Sequence, residues 1–366
     1  MDTTDYYFFL GTNAELIKMM PLLRRFKRAG VPLHLLATGQ NFPLEDELLE
    51  MSEVDGVDLQ ITARPIPQAP FWLATWFLEA FFKSLVLIPL YMRRTRTGRQ
   101  RVMVVIGDTI STILGAMVGR LFGFKVVHIE AGLRSGNWLR PFPEEISRQI
   151  TTALAQVNFC PNQQAVCNIS KAAVKVNMGH NTQLEAINMA LDRARDAQVT
   201  EPLVTGEYFV LVLHRQENIY NRQLVASIVD KMVEVSGRMK CVFIMHEPTR
   251  KALEQHGLMQ KVLSAPNVVL LDRLDFVDFA RLLSGCEFLV TDGGGNQQEA
   301  YYLGIPCLIL RNETEGPEGL GSNALLYGGD LGMVDGFVEE YGSYRKEPLR
   351  PERQPSEVIL ETLVES

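Results

Sequence analysis

The sequence predicts an α/β protein built from two parallel sheets, each covered by helices. Short apolar runs, rich in β-branched and aromatic residues, alternate with helical stretches along most of the chain, and this alternation is typical of parallel sheets. A second series of such runs begins near Tyr208 and does not repeat the first. The length of 366 residues also favours two domains over one.

The first half begins with an apolar strand at residues 6–10 and a helix from Ala14, followed by the strand LHLLATG. Further along, RVMVVIGDT predicts a strand followed by a helix, and KVVHIEAG predicts the next strand. Since these strands are expected to be parallel, their carboxyl ends should share one edge of the sheet, where ligands bind in such folds.

One segment departs from this alternation. Residues 71–92 are almost wholly apolar, and five arginines follow within residues 93–101. As a helix, the segment would carry Thr75, Glu79 and Lys83 as a narrow polar stripe beside a wide aromatic face. Three interpretations stay open: a helix buried in the domain or in a dimer interface, a helix lying in the membrane interface, and a spanning helix, which its charges and Pro89 make costly.

The second half contains five further strand-like runs, YFVLVLH, KCVFIMH, NVVLLD, CEFLVTDGGG and IPCLILR. The polar stretch at 179–206 is the predicted hinge. We expect an N-terminal Rossmann-like domain at 1–178 that contains the 71–101 segment, and a C-terminal nucleotide-binding Rossmann-like domain at 179–350. A helix within 351–366 is expected to pack back on the first domain. The predicted fold is thus two Rossmann-like domains facing a central cleft.

Composition excludes several classes of protein. Apolar residues make up 46% of the chain, which argues against disorder, and the formal net charge of −7 argues against broad nucleic-acid binding. The five cysteines are scattered and none has zinc-ligand spacing, so we expect reduced core residues and no metal site. No G-x-G-x-x-G fingerprint follows the first strand, and no cofactor is expected. Because no export signal precedes that strand, a cytoplasmic location is predicted.

Three carboxylates fall where strands end or a helix begins in the first half. Asp108 ends one predicted strand and Glu130 ends the next, with Arg134 a few residues later. Glu144 lies in the first turn of the helix that follows Pro143, where it could also serve only the helix dipole. Carboxylates gathered in one place are costly unless they bind cations or move protons, so the three are candidate catalytic residues.

A second group of residues is suited to binding phosphate. The turn after the first strand leads into a helix whose amino end is a natural anion site, with Lys18 one turn in. In the second half His214, Arg215 and His246 follow two strands and are predicted to grip a diphosphate.

The glycine-rich turn TDGGGN is the most specific phosphate signal in the chain. Gly293, Gly294 and Gly295 precede a helix, where their backbone N–H groups can approach phosphate oxygens. Glu299, in the next turn, is placed to bind ribose hydroxyls.

These motifs, in this order and spacing, resemble the UDP-N-acetylglucosamine 2-epimerase family across nearly the whole chain. The strings that carry the resemblance are GTNAELIKMMPL, GDTISTILGAM, HIEAGLRSGN, RPFPEEISRQ, HRQEN, TDGGGNQQEAYYLGIPCLILR and NETEGPE. The resemblance implies a glycosyltransferase-B architecture. It also implies that Asp108, Glu130 and Glu144 are catalytic carboxylates, and that Lys18, His214 and Glu299 contact the nucleotide or its diphosphate.

The chain differs from the family pattern on the diphosphate side. Where the family usually reads GTRPE, SDSGG and TERPE, this chain has Asn13 and Ala14 in the first motif, Gly293 in the second and Gly316 in the third. Two cationic side chains and a hydroxyl are therefore replaced, while the three carboxylates remain.

The activity that the resemblance implies is 2-epimerisation, or hydrolysis, of a UDP-N-acetylhexosamine for cell-surface polysaccharide synthesis. One alternative is a membrane-associated glycosyltransferase that uses a UDP-sugar donor and reaches a lipid-linked acceptor through residues 71–101; another is a non-catalytic member of the family. The expected partners are a UDP-sugar, an anionic membrane surface or lipid-linked acceptor, and a second copy of the chain in a homodimer, but not nucleic acid. A peripheral position at the inner face of the membrane follows from the same segment.

Overall fold

The computed structural model describes residues 4–41, 43–63, 70–95, 100–136, 143–169, 174–198, 201–314 and 316–364; the side chains of residues 70–72 lie outside this description. The chain divides into two compact units, residues 1–186 with 352–366 and residues 187–351, so the division falls within one helix. Each unit contains one sheet, and all paired strands in both sheets are parallel. The predicted α/β fold is therefore confirmed.

Unit one contains a seven-stranded sheet in the order β3-β2-β1-β4-β5-β6-β7. Its elements are β1 (Thr4–Leu10), α1 (Asn13–Arg28), β2 (Leu33–Ala37), α2 (Asp46–Met51), β3 (Leu59–Gln60), α3 (Pro70–Thr95), β4 (Gln100–Ile106), α4 (Ile110–Leu121), β5 (Lys125–Ile129), α5 (Glu144–Leu154), β6 (Val157–Cys160), α6 (Gln163–Cys167), β7 (Val174–Asn177) and the start of α7 (Gln183–Asp196).

Unit two contains a six-stranded sheet in the order β10-β9-β8-β11-β12-β13. Its elements are β8 (Tyr208–Val212), α8 (Gln216–Ile219), α9 (Arg222–Ser236), β9 (Lys240–Met245), α10 (Glu247–His256), α11 (Met259–Ser264), β10 (Val268–Asp272), α12 (Phe276–Ser284), β11 (Leu289–Thr291), α13 (Gly294–Leu303), β12 (Cys307–Ile309), β13 (Ala324–Leu326) and α14 (Gly332–Tyr344). The last helix, α15 (Pro355–Val364), belongs to unit one and packs on α1.

Helix α3 presents one face to the core of unit one and the other to solvent. Trp76, Ala80, Ser84 and Ile88, spaced four residues apart, are buried, and the Trp76 indole donates a hydrogen bond to the hydroxyl of Thr62 at 3.3 Å. Of the three interpretations of residues 71–92, burial in the domain agrees with the position of Trp76, whose ring packs in the core of unit one. Phe71, Trp72, Arg96 and Arg99 of the predicted segment lie outside the described side chains.

Candidate functional site

The candidate site in unit one lies at the edge of the sheet where β1, β4 and β5 end. These three strands are adjacent and parallel, so the residues that follow them come together. Asp108 follows β4 through Gly107, which has a φ of +73°, and Glu130 follows β5 directly. Glu130 itself has a φ of +66°, a conformation that is uncommon for a residue with a side chain and that turns its carboxylate towards the other strand ends.

Glu130 is held by a cation and an amide. The ammonium of Lys18, on α1, donates to both carboxylate oxygens of Glu130 at 2.8 and 2.6 Å, and the side-chain amide of Asn181 donates to one of them at 2.7 Å. Burial lowers the pKa of Lys18, but the charge and hydrogen bonds of Glu130 and the charge of Asp108 outweigh it, so the pKa ends above its usual value. Lys18, predicted to contact a diphosphate, is thus paired with a carboxylate of the same unit.

Asp108 is held by Arg148, a residue that the sequence-based prediction did not single out. The guanidinium of Arg148 lies 2.5 Å from Asp108 and, through its other terminal nitrogen, 2.8 Å from Glu145. Arg148 and Glu145 are buried, whereas Asp108 is partly open to solvent. The signal in the sequence was helical spacing, since Arg148 follows Glu145 by three residues in the string PEEISRQ.

The two glutamates in the first turn of α5 differ in burial and in contacts. Glu145 is buried, accepts from the backbone N–H of Ser135 at 3.1 Å, and has the guanidinium of Arg134 at 4.0 Å. The predicted candidate Arg134 is thus beside Glu145. Glu144, one residue earlier, is only half-buried and begins the helix, so it is the more accessible residue of the pair, although its Oε2 atom is buried.

Two buried groups fix the strand-end turns without facing solvent. Glu15 accepts from the backbone N–H groups of Gly11 and Thr12 at 2.7 and 2.9 Å and from the hydroxyl of Thr109 at 2.6 Å. Glu15 therefore ties the start of α1 to the turn that contains Asp108, and burial raises its pKa. The ring of His128 contacts the carbonyl of Gly107 at 2.8 Å, and burial lowers its pKa to about 4.

The candidate site in unit two lies where the adjacent strands β8, β9 and β11 end. His214 follows β8 and His246 follows β9, and their rings lie 5.2 Å apart. The buried carboxylate of Asp292, after β11, accepts from the backbone N–H groups of His214 and Arg215 at 3.0 and 3.1 Å and from the amide of Asn218 at 3.1 Å. Asp292 was missed from sequence, although it precedes the glycine-rich turn.

The pKa of each imidazole lies below its usual value. Burial lowers the pKa of His214, and Arg215 and Arg273 lower it further against the opposing charge of Asp292. Burial, His214 and Arg273 together lower the pKa of His246 to about 4. Arg273, in the loop after β10, is therefore a further cation close to both rings, and it was not among the predicted site residues.

The glycine-rich turn leads directly into α13. Gly293 precedes the helix, no side chain caps its first N–H groups, and Gly294 and Gly295 form its first turn. A Cβ atom on Gly293 would lie 2.6 Å from Cε1 of His214, whereas one on Gly295 would meet open space. Gly293 therefore allows the histidine ring to sit against the backbone. Glu299 is buried one turn later and accepts from the Asn296 amide at 2.9 Å.

The described residues bring no three histidine, cysteine or acidic side chains together as candidate metal ligands. The prediction that the protein needs neither metal nor cofactor stays a prediction. All five cysteines are free, and four of them are buried.

Comparison with known proteins decides the family. The family model described as UDP-N-acetylglucosamine 2-epimerase matches residues 93–330, which is more than half of the chain. The chain belongs to this family. The predicted resemblance is confirmed.

Similar epimerases and their structures support the same assignment. The UDP-N-acetylglucosamine 2-epimerase of Methanocaldococcus jannaschii is 28% identical over 88% of this chain and 87% of its own. One of Methanococcus maripaludis is 32% identical over 65% of this chain and 68% of its own. The crystal structure of the M. jannaschii enzyme, in complex with UDP-GlcNAc and UDP, matches with a TM-score of 0.83 at 26% identity, covering 99% of this chain and 100% of the other.

At Asn13 and Gly316, where the chain differs from the epimerase pattern, groups of the chain itself occupy the surroundings. The Asn13 amide donates to the carboxylate of Glu45 at 2.7 Å, and its carbonyl oxygen accepts from the Glu45 backbone at 3.1 Å. At Gly316 a Cβ atom would lie 2.1 Å from the Glu318 carboxylate, which therefore occupies the space of any side chain there. The loop around Gly316 is anchored by Gln297, whose amide donates to the carbonyls of Gly316 and Glu318 at 3.1 and 2.8 Å.

Proposed function

We propose that the protein interconverts the C2 epimers of a UDP-N-acetylhexosamine by eliminating UDP and adding it back. The observation that carries the proposal is the pairing of Glu130 with Lys18 and of Asp108 with Arg148 at one edge of the sheet. Carboxylates paired with cations, one of them partly open to solvent, suit a reaction that stabilises positive charge and moves a proton.

The chemistry requires both tasks. The hydrogen on C2 is not next to a carbonyl, so direct removal of the proton is prohibitive. If the C1–O bond breaks first, its electron pair leaves with UDP and positive charge develops at C1, which makes the C2 proton acidic. A carboxylate then takes this proton and a glycal forms; delivery of a proton to the other face of C2 and return of UDP to C1 complete the epimerisation.

We assign the three carboxylates different tasks. Glu130 is suited to stabilise the cation-like centre because Lys18 and Asn181 already orient its carboxylate. Asp108, partly exposed, and Glu144, half-buried at the start of α5, are suited to exchange protons with the substrate. The contact of Arg134 with Glu145 favours a supporting task for that arginine over direct substrate binding.

We assign binding of UDP to unit two. Gly294 and Gly295 offer backbone N–H groups at the start of α13 that no side chain caps, whereas the N–H of Gly293 donates to the hydroxyl of Thr291 at 3.0 Å. His214, His246 and Arg215 offer further donors beside this turn. Glu299 is the candidate contact for the ribose. The M. jannaschii structure in complex with UDP-GlcNAc and UDP supports this class of ligand. The glycosyltransferase alternative is not favoured, because these relatives are epimerases. A homodimer and a cytoplasmic location stay predictions.

Proton NMR in D₂O tests the proposal. The protein, incubated with UDP-N-acetylglucosamine, should produce the C2 epimer and exchange the C2 hydrogen for deuterium in both sugars. Asp108→Asn should reduce turnover by at least about a hundredfold, the usual cost of removing one group that acts in the transition state, while calorimetry shows UDP affinity nearly unchanged. Tight UDP binding without any C2 exchange would contradict the epimerase assignment.

A further inference from the structure

The solvent face of α3 carries a group of exposed, large apolar side chains. Leu78, Phe82, Val86 and Leu90 are 53, 62, 58 and 45% exposed, and they account for four of the thirteen exposed large apolar side chains in the described part of the chain. Spaced four residues apart, they form a continuous stripe about 18 Å long. Leu73–Thr95 is also long and apolar enough to cross a membrane, although its other face packs in the core of unit one.

The charges beside this stripe are positive. Glu79 and Lys83 pair with each other at 2.6 Å and so cancel. Arg93 and Arg94 follow Leu90 by three and four residues, which continues the same side of the helix, and both are exposed. In the described ranges neither arginine has an acidic partner.

The neighbouring helix adds to this surface. Helix α4 packs beside α3 and ends at Arg120 and Leu121, which are both exposed, and the exposed Lys125 then begins β5. Since α3 leads into β4 and α4 leads into β5, and these strands are adjacent and parallel, both helix ends lie where the strands begin. The apolar stripe thus ends in a group of cations, on a protein whose net charge is −7.

We propose that this surface, defined by the stripe Leu78–Leu90 and the cations Arg93, Arg94, Arg120 and Lys125, binds an anionic phospholipid membrane. Apolar side chains would enter the acyl boundary while the cations contact headgroup phosphates. Charge complementarity favours a lipid surface over a second copy of the chain, because the described part of this surface offers no unpaired acidic group to neutralise the cations.

The cations of this surface lie away from the candidate active site. The carboxylates follow the ends of β4 and β5, whereas the cations lie where these strands begin, and the seven residues of β4 separate the two edges by about 20 Å. The apolar stripe runs from these cations along the solvent face of α3 towards the other edge. The phosphate contacts of the cations are therefore made at the edge opposite the carboxylates.

Co-sedimentation with vesicles tests the proposal. The full chain should bind vesicles of phosphatidylglycerol and phosphatidylcholine at low salt, bind pure phosphatidylcholine much more weakly, and dissociate at high salt. Arg93→Gln with Arg94→Gln should weaken binding about 25-fold, since each cation near an anionic surface is worth about fivefold. Arg222→Gln with Arg238→Gln, two exposed arginines of unit two, is the matched control and should bind like the wild type.

A second pair of variants tests the apolar stripe. Phe82→Ser should reduce vesicle binding. Leu263→Ser, which changes a side chain of similar exposure in unit two (60% against 62%), should not. Both variants should keep wild-type turnover of a soluble substrate, so a failure of the epimerase assignment would not affect this test. Equal binding to neutral vesicles, or no binding to anionic ones, overturns the proposal. So does a dimer in solution that Phe82→Ser dissociates, which would make the stripe a subunit interface.

Discussion

Replacement of Lys18 by methionine should show what the contact with Glu130 contributes. The ammonium lies 2.6 Å from the carboxylate, and the two side chains are 21 and 7% exposed. Lys18→Met keeps most of the volume but leaves the charge of Glu130 buried with only the Asn181 amide beside it. Removing one partner of a buried ion pair costs about 3–5 kcal/mol, and we expect the free energy of unfolding to fall by about 3 kcal/mol because Lys18 retains some exposure.

A double-mutant cycle separates this pairing from other effects. If the penalty comes from the uncompensated charge of Glu130, adding Glu130→Gln to Lys18→Met should recover about 2 kcal/mol, because the neutral amide costs less to bury. Urea denaturation monitored by circular dichroism gives each value. Simple additivity of the two single changes would refute the reasoning.

The chain contains its own control for burial. Lys83 and Glu79 on α3 form an ion pair with the same 2.6 Å separation, but both side chains are nearly half exposed. Lys83→Met should therefore change the free energy of unfolding by less than about 0.5 kcal/mol. A loss equal to that of Lys18→Met would show that distance rather than burial sets the cost.

Three further outcomes are expected. His128 has a pKa of about 4 in the folded chain and close to 6.5 in the unfolded chain, so the unfolded chain binds a proton first as pH falls. The free energy of unfolding should therefore decline from pH 6.5 towards pH 4 by on the order of 3 kcal/mol. Urea titration should show a smaller decline for His128→Gln. Gly293→Ala should cost about 1–3 kcal/mol by crowding His214, whereas Gly295→Ala should be neutral or stabilising in the same assay. Affinity for UDP-N-acetylglucosamine, measured by calorimetry, should rise as pH falls from 7.5 to 5.5, because a bound diphosphate favours the protonated form of His214; an affinity independent of pH would contradict this assignment.

The sequence was sufficient to predict which carboxylates follow the strand ends, but not which residues contact them. Asp108 and Glu130 could be placed because apolar runs mark the strands, and parallel strands end at one edge. The contact between Asn181 and Glu130, 51 residues apart, depends on how the chain returns after β7, which no local pattern encodes. The positive φ of Glu130 was equally unpredictable, since no glycine marks that turn. Arg148 was within reach, because helical spacing alone places it one turn after Glu144 and Glu145.

The residues that replace the family pattern have related effects on the predicted diphosphate side of the site. A permanent cation is absent at position 13, where Asn13 links to Glu45, and at position 316, where Glu318 fills the space. At position 293 the missing side chain makes room for the His214 ring. A diphosphate would then depend more on imidazoles, which charge only in response to an anion or to acid, than on guanidinium groups that are always charged. It follows that binding of UDP in this protein should be weaker at neutral pH and more sensitive to acidity than in relatives with arginine at positions 13 and 316.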